Sequence, residues 1–413
     1  MGVIQRIGVD TLGIARMALA VRRSSDRFLA KSFTKAELEY CAGSAERLAG
    51  RWVAKEAVIK CFDGTPICFP RRRIEILPAH SGAPRVRLLG ADPQGARVQV
   101  SITHQAGMAV ATAVLDMPSP GAQMLPAPEA VAVPARPAGG HKGTFGTVGV
   151  LAGSLGLTGA AYLSATAAAR AGAGMVRLLV ADSIYPILAT KCTEVMATPI
   201  SEVGPGVVGH AALDTVVRHL ETARVALVGP GLGRDRSTWR LVLDLVANVR
   251  LPMVLDADAL NALADNRRAL GKLGADRVLT PHPGEMSRLT RQPVEELQRD
   301  RRAAAAKAAE EWKAVVVLKG AHTIVAAPGG RLSEDPHEVP ALATGGTGDV
   351  LGGIIAGLMA QGSDPFSAAV TGVYIHAAAG RRISGRIGVS GLLASDLLAE
   401  IPLVMNQLRE GGL

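Results

Sequence analysis

Sulfur and aromatic rings are scarce in this chain of 413 residues, which holds 4 cysteines and only 3% aromatic residues. Cys41, Cys61, Cys68 and Cys192 show no CxxC spacing, so no disulfide framework is read from them and reduced thiols are expected. No apolar stretch reaches the roughly 18 residues of a membrane span. Arg170 interrupts one candidate, and Gln361 to Pro365 interrupts another. The chain does not open on a basic cluster, an apolar run and a small-residue cleavage site, so a cytoplasmic protein without a membrane partner is expected. Two nucleotide signatures are also missing. No GK[ST] follows the glycine loop near residue 345, and Gly229-Pro230-Gly231-Leu232-Gly233 does not meet the GxGxxG spacing.

What remains is small and apolar: 48% hydrophobic residues against 20% charged ones describe a chain able to bury large cores. Its length exceeds one ordinary core, so two or three domains are expected. The net charge of +9 is unevenly placed, since residues 1–116 carry 17 Lys and Arg against 10 Asp and Glu. A small basic domain suits a polyanionic partner, whether nucleic acid, a phosphorylated cofactor or an acidic protein, and charge alone is equally met by a merely soluble basic surface.

Residues 117–140 read MPSPGAQMLPAPEAVAVPARPAGG, a Pro- and Ala-rich linker composition expected to be extended and semi-rigid. It divides a first domain (1–116) from a second (141–413). The first shows helices near Ala36 to Cys41 and Ala45 to Cys61, and strands at Gln5 to Asp10, Arg73 to Pro78, Arg85 to Leu89, Arg97 to His104 and Met108 to Leu115. Turns at SG, GAP, GADPQG and HQAG bound the later strands, which predicts an α+β domain with an antiparallel sheet. After residue 141, continuous Val and Leu runs alternate with helical stretches. Seven such runs, from Val148 to Ala152 through Thr323 to Ala327, predict a largely parallel, doubly wound sheet with ligands beyond the strand ends.

The chemistry of the second domain centres on Thr344-Gly345-Gly346-Thr347-Gly348-Asp349, a glycine loop running into an apolar helix. Such a loop aims successive amides at one point, and the helix terminus adds partial positive charge, which suits a phosphoryl group in transit. Asp349 is placed to take a proton from an attacking hydroxyl. Taken alone, the loop reads first as a tight turn with Asp349 as helix cap. His282, in Thr280-Pro281-His282-Pro283-Gly284-Glu285, taken alone reads as structural. Asp256 and Asp258 read either as a magnesium site or as acceptors of loop amides.

In company the motifs say more. His141-Lys142-Gly143, Asp256-Ala257-Asp258, the His282 motif, Leu318-Lys319-Gly320 and the glycine loop, in this order, resemble the ADP-dependent NAD(P)H-hydrate dehydratase family from His141 to Pro402. The resemblance implies a ribokinase-like fold and an enzyme that uses ADP (or ATP), with magnesium, to phosphorylate the 6-hydroxyl of hydrated NADH or NADPH; loss of phosphate then restores the cofactor. It implies Asp349 as base, and Ala160, Gly231, Gly233 and His282 as contacts to the hydrate. Lys319, Gly320, Ala321, His322, Thr323, Gly346, Thr347 and Gly348 are implied on the nucleotide side. Glu338 to Leu342 stands where that family usually has an Asn- and Gly-containing stretch. A ribokinase-like small-molecule kinase is the alternative for this domain.

In the first domain, Glu56 and Lys60 lie one turn apart on a helix, as do Arg51 and Lys55. Two neighbouring stripes of this kind suit a magnesium-bound pyrophosphate, and by spacing alone they are an ordinary salt-bridged face. Together with Gly8-Val9-Asp10, Phe33 to Cys41, Ile74-Glu75-Ile76 and Ser101-Ile102-Thr103-His104, they resemble holo-acyl-carrier-protein synthase, the small phosphopantetheinyl transferase, over residues 4–116. The resemblance implies Asp10 and Glu56 as magnesium ligands, and coenzyme A as substrate, for which Arg51, Lys55, Lys60 and His104 are the candidate contacts. It also implies an acidic acyl carrier protein as partner, rather than nucleic acid, and a homo-oligomer. Gly13 and Arg71 to Arg73 depart from that family's acidic positions. A non-catalytic docking module is the alternative.

Overall fold

The computed structural model describes residues 3–23, 26–63, 69–79, 81–89, 97–118 and 124–410. Cys68, the turn at 90–95 and residues 119–123 of the Pro/Ala-rich stretch lie outside the described residues. The chain forms two compact units, Met1–Gln123 and Met124–Leu413.

The first unit runs β1 (Val3–Gly13), α1 (Ile14–Arg23), α2 (Asp26–Ser32), α3 (Lys35–Cys41), α4 (Ala45–Cys61), β2 (Ile74–Pro78), β3 (Pro84–Leu88), β4 (Arg97–Gln105) and β5 (Met108–Pro118). The strands β1, β5 and β4 pair antiparallel in that order, and β2 and β3 form a separate hairpin. Ser44 caps α4, its hydroxyl accepting from the Arg47 amide. The buried residues Leu48, Val53, Ala54, Ala57, Val58 and Cys61 run along α4 and join Ala111, Ala113 and Leu115 of β5 in one core. Helices α1 and α2 have no counterpart in the expectations from sequence.

The second unit begins β6 (Thr147–Leu151), α5 (Thr158–Arg170), β7 (Met175–Ala181), α6 (Tyr185–Lys191), β8 (Met196–Ile200), α7 (Leu213–Leu220) and β9 (Val225–Val228). It continues α8 (Arg236–Asn248), β10 (Met253–Leu255), α9 (Asp258–Asp265), β11 (Arg277–Leu279), α10 (Pro283–Thr290), α11 (Val294–Arg299), α12 (Arg301–Trp312) and β12 (Val315–Leu318). A hairpin of β13 (Ile324–Ala326) and β14 (Leu332–Glu334) follows, then α13 (Thr347–Ala360), α14 (Pro365–Ile387) and α15 (Ala394–Glu410). The sheet order is β14-β13-β12-β11-β10-β9-β6-β7-β8. Strands from β8 to β12 are parallel, and β13 and β14 are antiparallel. Thr323 to Ala327, expected as one more sheet strand, therefore returns as a hairpin. The four-residue spacing between Leu318 and Thr323 is too short for a crossover helix. Strand β8, whose five residues MATPI include Pro199, was not expected, since proline within a run argues against a strand.

Every residue of β6, β9, β10, β11 and β12 is buried, as strands covered on both faces require. The chain moves to opposite sides of β6 after β8, which makes the gap between β6 and β9 a switch point where loops part and leave a crevice. Helix α13 crosses α5 at backbone distance: a Cβ on Gly353 would sit 2.2 Å from the Ser164 carbonyl oxygen, and one on Gly357 2.6 Å from that of Ala168. Residues 124–140 of the Pro/Ala-rich stretch pack on this unit instead of spanning solvent. Val131 is fully buried in its core, the Ala132 amide donates to Thr371 Oγ1 at 2.9 Å, and the Tyr374 hydroxyl donates to the Leu125 carbonyl. No helix among the described residues is long and apolar enough to cross a membrane.

Candidate functional site

Ends of β9, β10, β11 and β12 deliver the polar residues of the second unit to one crevice. Asp256 follows β10, His282 opens α10 after β11, and Lys319 ends β12, where its amide donates to the Pro281 carbonyl at 2.9 Å. Lys319 is the hub. Its Nζ donates to Asp256 Oδ1 at 2.9 Å and lies 3.7 Å from Glu285 Oε2. A Cβ on Gly348 would lie 3.4 Å from that ammonium, so the glycine loop passes directly over it. Burial opposes the charge on Lys319, but Asp256, Glu285 and Asp349 outweigh it and hold its pKa above the usual lysine value.

The loop enters α13 through Gly346, whose φ of 91° is reserved in practice for glycine. Thr347 Oγ1 donates to the Leu342 and Thr344 carbonyls at 2.8 and 2.9 Å, which pins the turn. The first amides of a helix have no partner within it, and those of Gly348 and Asp349 find no acceptor among the described residues. Asp349 caps nothing: α13 has no side-chain cap, and its carboxylate makes no hydrogen bond among the described residues. Burial first, then the charge of Asp256, pushes the Asp349 carboxyl up to about 7, with Lys319 pulling the other way. Glu285 is likewise pushed up to about 7, chiefly by burial. One cation thus serves three carboxyl groups, and the site holds a proton ready to move near neutral pH.

His282 does two things. Its Nδ1 accepts from the Gly284 and Glu285 amides at 3.0 and 3.3 Å while Glu285 Oε2 accepts from the His282 amide at 2.8 Å, a capping box that starts α10. The ring remains half exposed beside the crevice, its pKa lowered by burial and by Lys319 and Arg288. Gly231 and Ala160 meet across it, with a Cβ on Gly231 only 2.9 Å from that of Ala160. The Gly233 amide donates to Asp258 Oδ2 at 2.8 Å, so of the two roles open to Asp258 it takes the loop amide. Asp256 is held by Lys319.

A cavity of about 410 Å³ opens beside the loop, lined by Lys319, Gly320, Ala321, Thr323, Thr347 and Gly348 among others. These are six of the residues expected on the nucleotide side. His322 does not line it: its φ of 50° turns the ring away to the Asp335 carbonyl, 3.2 Å from Nδ1. Gly346 is also outside that lining, behind Leu163 and Ala394. Glu338, Val339, Pro340 and Leu342 close the far wall, which is how the departing stretch completes the pocket.

In the first unit the Arg51 and Lys55 stripe is not a surface. Lys55 is fully buried, its Nζ 2.6 Å from Glu37 Oε2 and donating to the Ser32 and Arg71 carbonyls. Arg51 is 7% exposed and donates to the Ile76 carbonyl. Lys55 spends its three donors inside the core, whereas Arg51 uses Nε on that carbonyl and lies over the Tyr40 ring at 4.6 Å. Asp10 and Lys60 pair at 2.9 Å, and Glu56 pairs with Arg71. His104 Nε2 has no hydrogen-bond partner among the described residues. No group of three metal-ligating side chains is found among the described residues. Asp10 and Glu56 offer hard oxygen donors of the kind magnesium takes, each now occupied by a cation.

Sequence reasoning missed Glu285, His337 and His376. The Glu285 signal was present, three residues after His282. His376 had none: it stands alone in the long helix α14, and only folding brings its Nε2 to 2.9 Å from the Thr347 carbonyl. Burial pushes its pKa down to about 4, so it is neutral and donates to that carbonyl, bracing the loop.

A family model described as NAD(P)H-hydrate dehydratase matches residues 148–403, and one described as the 4'-phosphopantetheinyl transferase superfamily matches residues 6–113. A bifunctional NAD(P)H-hydrate repair enzyme of Moorella thermoacetica is 47% identical over 67% of this chain and 52% of its own length. The chain spans about half the length of this relative and of the bifunctional relatives of Thermofilum pendens and Salinibacter ruber. An ADP-dependent (S)-NAD(P)H-hydrate dehydratase of Xanthomonas campestris is 38% identical over 70% of this chain and 95% of its own. Among solved structures, an ADP/ATP-dependent NAD(P)H-hydrate dehydratase from Bacillus subtilis, co-crystallized with ATP and magnesium, is 33% identical. It covers 66% of this chain and 94% of its own, with a TM-score of 0.57.

Proposed function

Since the chain belongs to the NAD(P)H-hydrate dehydratase family, we propose that its second unit uses ADP to dehydrate the S epimer of 6-hydroxylated NADH and NADPH. Asp349 takes the proton of the 6-hydroxyl, and the oxygen attacks the terminal phosphorus of ADP. The P–O bond to AMP breaks, and AMP leaves. The amides of Gly348 and Asp349 and the Lys319 ammonium stabilise the charge that builds on the phosphoryl oxygens. The ring nitrogen lone pair then expels phosphate from C6 as C5 loses a proton, which restores the double bond. Phosphorylation matters because hydroxide leaves poorly near neutral pH and phosphate leaves well.

One juxtaposition carries this reading: a carboxyl of pKa about 7 with no hydrogen bond among the described residues, beside unpaired amides and a partly buried lysine, at a 410 Å³ cavity. Ala160, Gly231, Gly233 and His282 support the dinucleotide side, and Lys319 to Thr323 the nucleotide side. Magnesium enters with the nucleotide phosphates, whose charge it compensates. Purified protein given ADP and hydrated NADH should regenerate the near-ultraviolet absorbance of the reduced nicotinamide, and Asp349→Asn should lower the rate by about 10²–10⁴. An Asp349→Asn enzyme with unchanged rate would remove Asp349 from the chemistry.

For the first unit we propose magnesium-dependent transfer of phosphopantetheine from coenzyme A to a serine of an acidic carrier protein. The 6–113 match and the basic surplus support it. Asp10 and Glu56 would hold the ion once Lys60 and Arg71 turn to the phosphates. An apo carrier incubated with protein, coenzyme A and magnesium should gain the mass of the arm, and Glu56→Gln should abolish the gain. No gain with either protein, while a control transferase reacts, leaves a docking module.

A further inference from the structure

Among the described residues, the lining of the cavity holds one buried side-chain polar atom without a hydrogen-bond partner, Nε2 of His337, which is 3% exposed. The ring is held firmly. Nδ1 lies 3.0 Å from Asp335 Oδ1, the His337 amide donates to Asp335 Oδ2 at 3.2 Å, and the ring meets Tyr374 edge-on at 4.9 Å. A carboxylate only accepts, so Nδ1 carries the proton and Nε2 presents a lone pair.

The position of this lone pair is informative. The cavity runs from Lys319 and Gly348, where phosphate charge is met, along the 319–323 loop, and His337 lies at the end of that loop, its carbonyl accepting from the His322 amide at 3.2 Å. Val339, Pro340 and Val373 give the cavity apolar wall against which a base can stack, beside the carboxyls of Asp335, which holds Nδ1, and of Glu338. A buried imidazole acceptor in such a wall is satisfied by a ligand donor and opposed by a ligand acceptor.

We propose that His337 is a specificity-determining residue that accepts a hydrogen bond from the 6-amino group of adenine, and so selects adenine nucleotides over 6-oxopurine nucleotides. This rests on the reading of the cavity as the nucleotide site. A 6-oxo group would set two acceptors face to face, and a purine without a 6-substituent would leave Nε2 unpaired.

Calorimetric titration of the full chain with ADP, inosine diphosphate and purine riboside diphosphate tests this without turnover. The intact protein should bind ADP at least about tenfold more tightly than the other two. His337→Phe, which keeps the ring packing on Tyr374, should bring the three affinities together by weakening ADP alone, and His337→Gln, with an amide oxygen as acceptor, should restore part of the preference. Equal affinities in the intact protein overturn the proposal whether or not the variants fold, and so does an ADP preference that survives in His337→Phe or a loss shared equally by all three. If no nucleotide binds, the proposed function falls with it; if ADP binds and His337 is indifferent, only this inference does.

Discussion

At the residue scale the decisive quantity is the proton on Asp349. Its folded pKa of about 7 lies above the ordinary carboxylate value, so the folded protein holds this proton more tightly than the unfolded chain. Stability from this group is therefore full at low pH, falls as pH rises from about 4, and levels off above 7. Removing the charge removes the penalty. Asp349→Asn should raise stability at pH 8 by about 1–3 kcal/mol, with the gain fading toward pH 4, measured by denaturant unfolding across that range. Activity moves the opposite way, since the base must be ionised: kcat/KM should rise with pH through about 7. A variant that loses both activity and stability would assign Asp349 to the scaffold instead.

At the element scale the loop is only as precise as the helices beneath it. Helix α13 reaches α5 through Gly353, where an added methyl would meet the Ser164 carbonyl oxygen at 2.2 Å. Backbone on both sides cannot give way as a flexible side chain would. Gly353→Ala should cost about 2–4 kcal/mol and also slow the reaction, because α13 carries Asp349. Gly159→Ala, on α5 with open space around it, should change neither. Thermal unfolding with paired rate measurements would check the contrast. Legibility also separates by element. Strands with uninterrupted Val and Leu, such as Val315–Leu318, could be read directly, whereas Met196–Ile200 and Ile14–Arg23 could not, since Thr198 and Pro199 interrupt the one and a glycine instead of a capping side chain precedes the other.

For the whole molecule, the composition of residues 117–140 suggested a spacer, and its described part, 124–140, is a strap on the second unit. Proline and alanine fit both roles; what decides is whether an apolar face waits for them, and Thr371 and Tyr374 of α14 supply one. A chain beginning at Met124 should therefore unfold at a higher temperature than one beginning at His141, by roughly 5–10 °C, since the shorter one exposes the site of Val131 and loses the hydrogen bonds to Thr371, Tyr374, Gly172 and Arg409. Equal melting temperatures would make the strap incidental.

The order of motifs along the chain was enough to show both resemblances, to read a doubly wound second domain, and to single out Asp349, Lys319 and the glycine loop, which the fold brings together. That information is local, because glycine, capping and strand chemistry act over a few residues. Tertiary structure alone decided that Lys55 and Arg51 are interior, that Lys319 is shared among Asp256, Glu285 and Asp349, and that His376 and His337 reach the site. Burial and charge coupling depend on which distant segments exclude water together, and no spacing within one segment records that.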